Sequence, residues 1–358
     1  MSATGKTEGS QRLENGSEVK AEAPALRVPT KSYSNTAWLH SRSARQVRIL
    51  CEYLEVRDRL RRSRVLATFL VFGTARGLSR EQWQARMTAA TDRLSQLKAE
   101  SKQDANTKES QEIESAEREI TRLRRLEWVC EFAEKVTRLT RRLAEWLLTP
   151  EARTAVAKIL REIPTPLEND DDWGQEASAL DEPDGVCPVA ICTGGGPGLM
   201  EAANKGAAQV PGARSIGMGI SLPFESGLNP YVSKELGFQF QYFFTRKFWM
   251  VYSALGVIAA PGGVGTLDEL MEVLTLKQTK KMKRDIPIVL FGKTYWDSVL
   301  NFDKMVEYGM ISECDRDQLF LTDDEDEAFE YLRSFLLQDK LVLGEGYVHK
   351  SLRKRRRE

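Results

Sequence analysis

Two short glycine clusters and one Arg-Lys pair carry the chemistry on offer in this 358-residue sequence. The first cluster, Thr193-Gly194-Gly195-Gly196-Pro197-Gly198, follows the apolar run VAIC and precedes LMEAANKGAA. The second, Pro261-Gly262-Gly263-Val264-Gly265-Thr266, follows GVIAA and precedes LDELMEVLTL. Each reads as a strand, a glycine turn and a helix start, where main-chain N–H groups can approach an anion with no side chain in the way. A phosphate suits both turns, and two of them in one sheet imply a shared crevice. The same glycines also suit tight βα turns that bind nothing. Neither cluster is a Walker motif, because no Lys-Ser or Lys-Thr follows the glycines, and neither makes a convincing GxGxxG with a ribose-binding acid downstream. Triphosphate hydrolysis and dinucleotide redox chemistry therefore lose ground.

Arg246 and Lys247 sit in QYFFTRKFWM. Such a pair is ordinarily solvated surface, but apolar neighbours here turn the two cations toward a crevice, where they suit phosphate or ribose oxygens. The Phe and Trp residues around them read as core rather than as a base-stacking platform. Glu269 lies one turn into the helix behind the second glycine cluster. Thr266-Leu267-Asp268-Glu269 also spells a capping box, with Thr266 as N-cap and Glu269 reaching back, and spacing alone favours that use. The alternative is a carboxylate aimed at the sugar of a bound nucleotide.

The elements that must position these residues follow from periodicity. VLATFLVFGTAR, residues 65–76, is a buried parallel strand opening into a further ligand loop at Gly73 and Thr74. From residue 188 onward, strands alternate with helices expected over 198–208, 243–254, 266–278, 295–308 and 326–337. This predicts an α/β fold, a Rossmann-like doubly wound parallel sheet with helices on both faces, over residues 65–340. Residues 79–125 read as an inserted helical hairpin with arms of about 25 residues, followed by a helix over 128–148. Residues 1–35 read as a disordered tail. An amphipathic helix over 36–64 is expected to pack on the core through Val47, Leu50, Leu54 and Leu60. Residues 163–185 form an acidic surface loop, and 341–358 a basic tail.

Lys and Arg total 52, as do Asp and Glu, so no global field recruits nucleic acid or anionic lipid. Nucleic acid is not an expected partner despite the basic stretches at 57–64 and 350–357. No apolar run approaches the roughly 20 residues of a membrane span, and the N-terminus lacks a secretory apolar stretch, so a cytoplasmic protein without membrane attachment is expected. Five scattered cysteines without a CxxC pair suit a reducing compartment. His40 and His349 are the two histidines and neither lies beside a cysteine pair, so no metal site is expected.

TGGGPGLMEAANKGA, SIGMGISLPFE, YFFTRKFWM, PGGVGTLDELMEVLTLKQTKK and IPIVLFGKTYW resemble the LONELY GUY family in order and spacing. The resemblance covers about residues 65–336 apart from the insertion and the acidic loop. Its members are nucleoside 5′-monophosphate phosphoribohydrolases, the cytokinin-activating enzymes, which long carried a lysine decarboxylase-like label. The resemblance implies hydrolysis of the N-glycosidic bond of AMP or an N6-modified relative, with Arg246 and Glu269 as catalytic residues. It places the phosphate on Gly262, Gly263, Gly265 and Thr266, with Val264, Leu267 and Asp268 beside them and Thr275 as a further contact. Gly73, Thr74, Gly194, Gly195, Gly196 and Lys247 complete the expected binding set. No cofactor is implied, and a homodimer or larger homo-oligomer is. The match is closer to the longer microbial-type members, since short plant-type ones lack an insertion like 79–125, so plain AMP is as much an expected substrate as a cytokinin nucleotide. Related folds serve as non-catalytic nucleotide or molybdenum-cofactor binding proteins, which is the alternative. Decarboxylation is weak, because no lysine has the context of a Schiff-base site.

Overall fold

The computed structural model describes residues 28–100, 107–162, 188–222, 227–282 and 285–337. The expected acidic loop and basic tail, and the expected N-terminal tail up to residue 27, lie outside the described residues. The chain divides into two compact units, Met1–Arg48 and Ile49–Glu358. In the first, the short helix α1 (Thr36–Leu39) is capped by Asn35, whose side chain accepts from the Trp38 amide at 3.1 Å. Arg48 donates to the carbonyls of Leu39 and Ser41.

The second unit holds a seven-stranded sheet whose registered pairs are all parallel. Its strands are β1 (Ala67–Phe72), β2 (Val189–Thr193), β3 (Ser215–Ile220), β4 (Gly237–Phe240), β5 (Ala254–Ala259), β6 (Ile288–Phe291) and β7 (Leu319–Thr322). They lie in the order β4-β3-β2-β1-β5-β6-β7. The central strands are continuous apolar runs because both of their faces are covered. Pleating sends Phe69 and Val71 of β1 into one core cluster and Leu70 and Phe72 into the other.

The helices are α2 (Arg45–Arg62), α3 (Arg80–Glu100), α4 (Thr107–Leu126), α5 (Val129–Leu147), α6 (Pro150–Glu162), α7 (Leu199–Ala208), α8 (Phe243–Tyr252), α9 (Val264–Gln278), α10 (Lys293–Val299), α11 (Phe302–Glu307), α12 (Glu313–Asp317) and α13 (Glu325–Leu337). One face of the sheet is covered by α5, α6, α7 and α13. The other is covered by α2, through Val56 and Leu60, with α8, α9 and α10. The doubly wound fold expected from the sequence is therefore present. The hairpin is there as well, its arms α3 and α4 spanning 21 and 20 residues. Trp83 on α3 donates its indole N–H to the Leu123 carbonyl of α4 at 2.7 Å, and α4 buries Ala116, Ile120 and Leu123.

Two local expectations change, and three elements are present that were not expected. On α2 the buried positions are Val56 and Leu60, whereas Val47, Leu50 and Leu54 are exposed. The single helix expected over 295–308 is two, α10 and α11, because Leu300 is extended and the Asn301 side chain caps a new start by accepting from the Lys304 amide. The edge strands β4 and β7, four residues each, escaped notice because they are too short to show a period. Helix α6 escaped notice too, although Pro150 stands at its first position and Ala152, Val156, Ile159 and Leu160 mark its buried face. Among the described residues, no helix is long and apolar enough to cross a membrane.

Helix α5 approaches α7 closely at Gly206. A methyl group there would stand 2.1 Å from Thr140 Oγ1 and 2.3 Å from the Thr137 carbonyl oxygen. Gly206→Ala is therefore expected to lower unfolding stability by about 1–3 kcal/mol, since neither helix can retreat without losing core contacts. Urea denaturation of the two proteins checks this.

Candidate functional site

The chain leaves β1 toward β2, β3 and β4 on one side, then returns to lay β5, β6 and β7 on the other. This reversal opens a crevice beyond the carboxyl ends of β1 and β5, the place where open parallel sheets bind ligands. The pairing of Phe72 with Ala259 continues past the strands, the Ala260 amide donating to Phe72 and the Thr74 amide to Pro261, both at 2.9 Å. The Leu199 amide donates to the Thr74 carbonyl at 3.0 Å, drawing the turn after β2 into the same cluster. Gly198 permits this approach. Its φ is +76°, and a side chain there would stand 2.3 Å from the Thr74 carbonyl oxygen.

The resulting crevice has a volume of about 710 Å³. Its lining includes Gly73, Thr74, Gly194, Gly196, Gly262, Gly263, Val264, Gly265, Thr266, Asp268, Arg246 and Glu269. Residues far apart in sequence are thus assembled at one place. Gly195, Lys247, Leu267 and Thr275 are not in this lining. Gly195 is turned backward, its amide donating to Thr193 Oγ1 at 2.9 Å and its carbonyl accepting from Asn229. Leu267 packs against the core beneath α9. Lys247 is held by two carboxylates of α9, Asp268 at 2.7 Å and Glu272 at 2.8 Å. Burial disfavours its charge, but those carboxylates outweigh that and hold the ammonium above its ordinary pKa. Thr275 is exposed farther along α9, its hydroxyl donating to the Met271 carbonyl at 2.7 Å.

The capping box does not form. Helix α9 begins at Val264, Gly263 is its N-cap, and no side chain caps it. The first backbone bond of the helix is Leu267 N–H to the Gly263 carbonyl at 3.0 Å, so the amides of Val264, Gly265 and Thr266 precede the helical ladder. Glu269 is consequently free to face Arg246, its Oε1 lying 3.7 Å from Nη1, with both residues 9% exposed. Arg246 Nε donates to the Met218 carbonyl at 2.7 Å, and a side chain at Gly194 would sit 2.5 Å from its Nη2. The guanidinium therefore bridges the β2 turn and the α9 carboxylate. Burial pushes the Glu269 pKa up, and the positive charges of Arg246 and then Lys247 only partly reverse this.

Behind the turns lies a buried polar network. Asn229 donates its side-chain amide to the carbonyls of Gly195 and Gly196, both at 3.1 Å, and to Asn204 Oδ1 at 2.8 Å. Asn204 in turn donates to Ser215 Oγ at 2.7 Å and accepts from Thr193 Oγ1 at 2.7 Å. Under the second turn, Tyr295 donates its hydroxyl to the Gly262 carbonyl at 2.6 Å. Trp128, at the foot of the hairpin, stacks on Tyr295 with ring centroids 5.5 Å apart and 23° between planes. Arg76, Leu126, Trp128, Met200, Phe243 and Tyr295 line the crevice without having been nominated from sequence. Aromatic and apolar types point to core by default, and no spacing rule links Trp128 or Tyr295 to a glycine turn more than thirty residues away.

Comparison with known proteins bears on the same region. A family profile described as "Possible lysine decarboxylase" matches residues 200–332. Cytokinin riboside 5′-monophosphate phosphoribohydrolase LOG1 of Arabidopsis thaliana is 45% identical over 69 residues, covering 19% of this chain and 32% of that protein. LOG7 of the same plant is 43% identical over 68 residues, covering 19% and 31%. The chain thus spans about a third of the length of the curated relatives it matches. A molybdenum cofactor binding protein from Rippkaea orientalis aligns with a TM-score of 0.30 at 21% identity, over 41% of this chain and 78% of that one. Sheet order and crevice define a doubly wound, Rossmann-like α/β protein. Over the matched stretch the chain is similar to that profile and to the cytokinin riboside 5′-monophosphate phosphoribohydrolases.

Glu269 supplies a pH test. Its pKa in the fold is raised above the ordinary 4.5, so the stability it contributes is present below that value and lost as pH rises through the folded value. Glu269→Gln cannot ionise. It is expected to melt at a higher temperature than wild type at about pH 8, with the difference closing near pH 4. Thermal unfolding across that range checks it.

Proposed function

We propose that this crevice hydrolyses the N-glycosidic bond of a nucleoside 5′-monophosphate, AMP or an N6-modified AMP, to the free base and ribose 5-phosphate. The observation that carries the reading is the meeting of buried Arg246 and Glu269 beside two glycine turns. The amides that begin α9, with the positive end of its dipole, suit a phosphate monoester. A sugar extending from that phosphate brings C1′ toward the carboxylate. Breaking the C1′–N bond leaves positive charge on the sugar ring, which Glu269 stabilises as an anion. Glu269 then takes a proton from the attacking water, whose oxygen bonds to C1′, while the base departs with the bonding pair and takes a proton from solvent, to which Glu269 releases the one it accepted. A raised carboxyl pKa favours proton exchange closer to neutral pH. Arg246 fixes the substrate and offsets the developing negative charge on the leaving base. The relatives' printed names describe this reaction on cytokinin nucleotides, which supports the reaction class.

Incubation with AMP and N6-modified AMP is expected to release adenine-type base and ribose 5-phosphate. Glu269→Gln is expected to lower kcat by roughly 10²–10⁴-fold with nucleotide still bound. Tight nucleotide retention without product, in wild type and variant alike, would replace hydrolysis with carriage.

We also propose that the protein self-associates through α2 and α8. Glu52 joins these helices, its carboxylate accepting from the Gln241 amide at 2.8 Å and the Thr245 hydroxyl at 2.5 Å. Leu50, Leu54, Phe243 and Phe244 stand exposed on them, the kind of apolar surface that marks an interface. Light scattering is expected to show a dimer or larger assembly for wild type and a monomer for the Leu54→Asp, Phe244→Asp double variant.

A further inference from the structure

We infer that Asn229 and Tyr295 are positioning residues which hold the two glycine turns in the one peptide orientation that accepts a phosphate monoester dianion. The inference rests on the phosphate site proposed above and names the side chains that build it.

A peptide unit is planar and trans, so its C=O and N–H point in opposite directions. A glycine turn can rotate that unit at little steric cost, and a rotated unit would present a carbonyl oxygen to the anion in place of an amide. Something must fix the choice. In the first turn Asn229 fixes it twice, its backbone amide donating to the Gly195 carbonyl at 2.8 Å and its side chain to the Gly195 and Gly196 carbonyls at 3.1 Å. With the Gly195 carbonyl drawn backward, the Gly196 amide is directed forward, and Gly196 lines the crevice while Gly195 does not. In the second turn the Tyr295 hydroxyl draws the Gly262 carbonyl toward itself at 2.6 Å. The next amide, Gly263 N–H, is then directed away from Tyr295 and joins those of Val264, Gly265 and Thr266.

Both donors are themselves fixed. Asn229 is 9% exposed and bonded to fully buried Asn204. Tyr295 is packed between Trp128 and Trp296, with ring centroids at 5.5 and 5.1 Å. Neither donor needs to touch the ligand to set its affinity.

The test measures binding of AMP, inorganic phosphate and adenosine by calorimetry to wild type, Tyr295→Phe and Asn229→Ala. Tyr295→Phe removes one oxygen and keeps the ring stack. Each variant is expected to weaken AMP and phosphate roughly 5–30-fold while leaving adenosine, which lacks the monoester, within about twofold. In turnover, KM for AMP rises and kcat is largely retained, because the phosphate contact is shared by ground and transition states. If the alanine variant does not fold, Asn229→Ser keeps a donor and replaces it. Phosphate affinity equal to wild type in Tyr295→Phe would overturn the inference, as would an equal loss for adenosine, which marks a general structural defect. Wild type that binds neither AMP nor phosphate would overturn the phosphate site itself.

Discussion

The parallel pairing of β1 with β5 does not stop where the strands end. It runs on through Ala260 to Phe72 and Thr74 to Pro261, at 2.9 Å each, so the loops after both strands leave the sheet already joined. The turn after β2 is added by Leu199 bonding to Thr74. Everything distinctive about the crevice follows from this knot. Without it, the glycine-rich turns would have only the side-chain bonds of Thr193, Asn229 and Tyr295 to hold them. Backbone bonds within the knot are sheltered by the strands and helices packed on both faces of the sheet, so local opening there costs much of the global stability.

The charged pair at the heart of the crevice is built under tension between burial and attraction. A single bond-length contact between Arg246 and Glu269 would lock both groups; at 3.7 Å they attract without saturating each other, and Arg246 spends its Nε on Met218 instead. Lys247, next in sequence, stays out of the crevice lining and ties α8 to α9 through Asp268 and Glu272. Two adjacent cations thus divide the work. One faces the crevice, and the other holds the helix bearing Glu269 at a fixed distance from the helix bearing its partner.

The sequence made the α/β alternation legible because β1, β2, β3, β5 and β6 are dominated by apolar residues, and the glycine turns stood where strands give way to helices. Position within the crevice was harder. Thr266 and Glu269 have capping-box spacing, yet the N-cap of α9 is Gly263, and that three-residue shift turns Glu269 from a cap into a crevice carboxylate. Spacing fixes separation along a helix but not where the helix begins. The sequence predicts both Arg246 and Lys247 facing the crevice, but neighbours on a helix are about 100° apart, and of the two only Arg246 lines it. Trp128, Asn229 and Tyr295 were illegible for another reason: each acts on a turn distant in sequence, and only the tertiary fold brings them there.

Leu126 and Trp128 place the foot of the hairpin on one wall of the crevice, while the opposite wall belongs to the sheet and its helices. The insertion is thus more than a decoration on the α/β scaffold. Exchanging it for another hairpin of equal length would keep the glycine turns and re-line the space beside them. Divergence in what the cavity admits can then proceed by replacing a cassette, with the floor of the crevice left untouched.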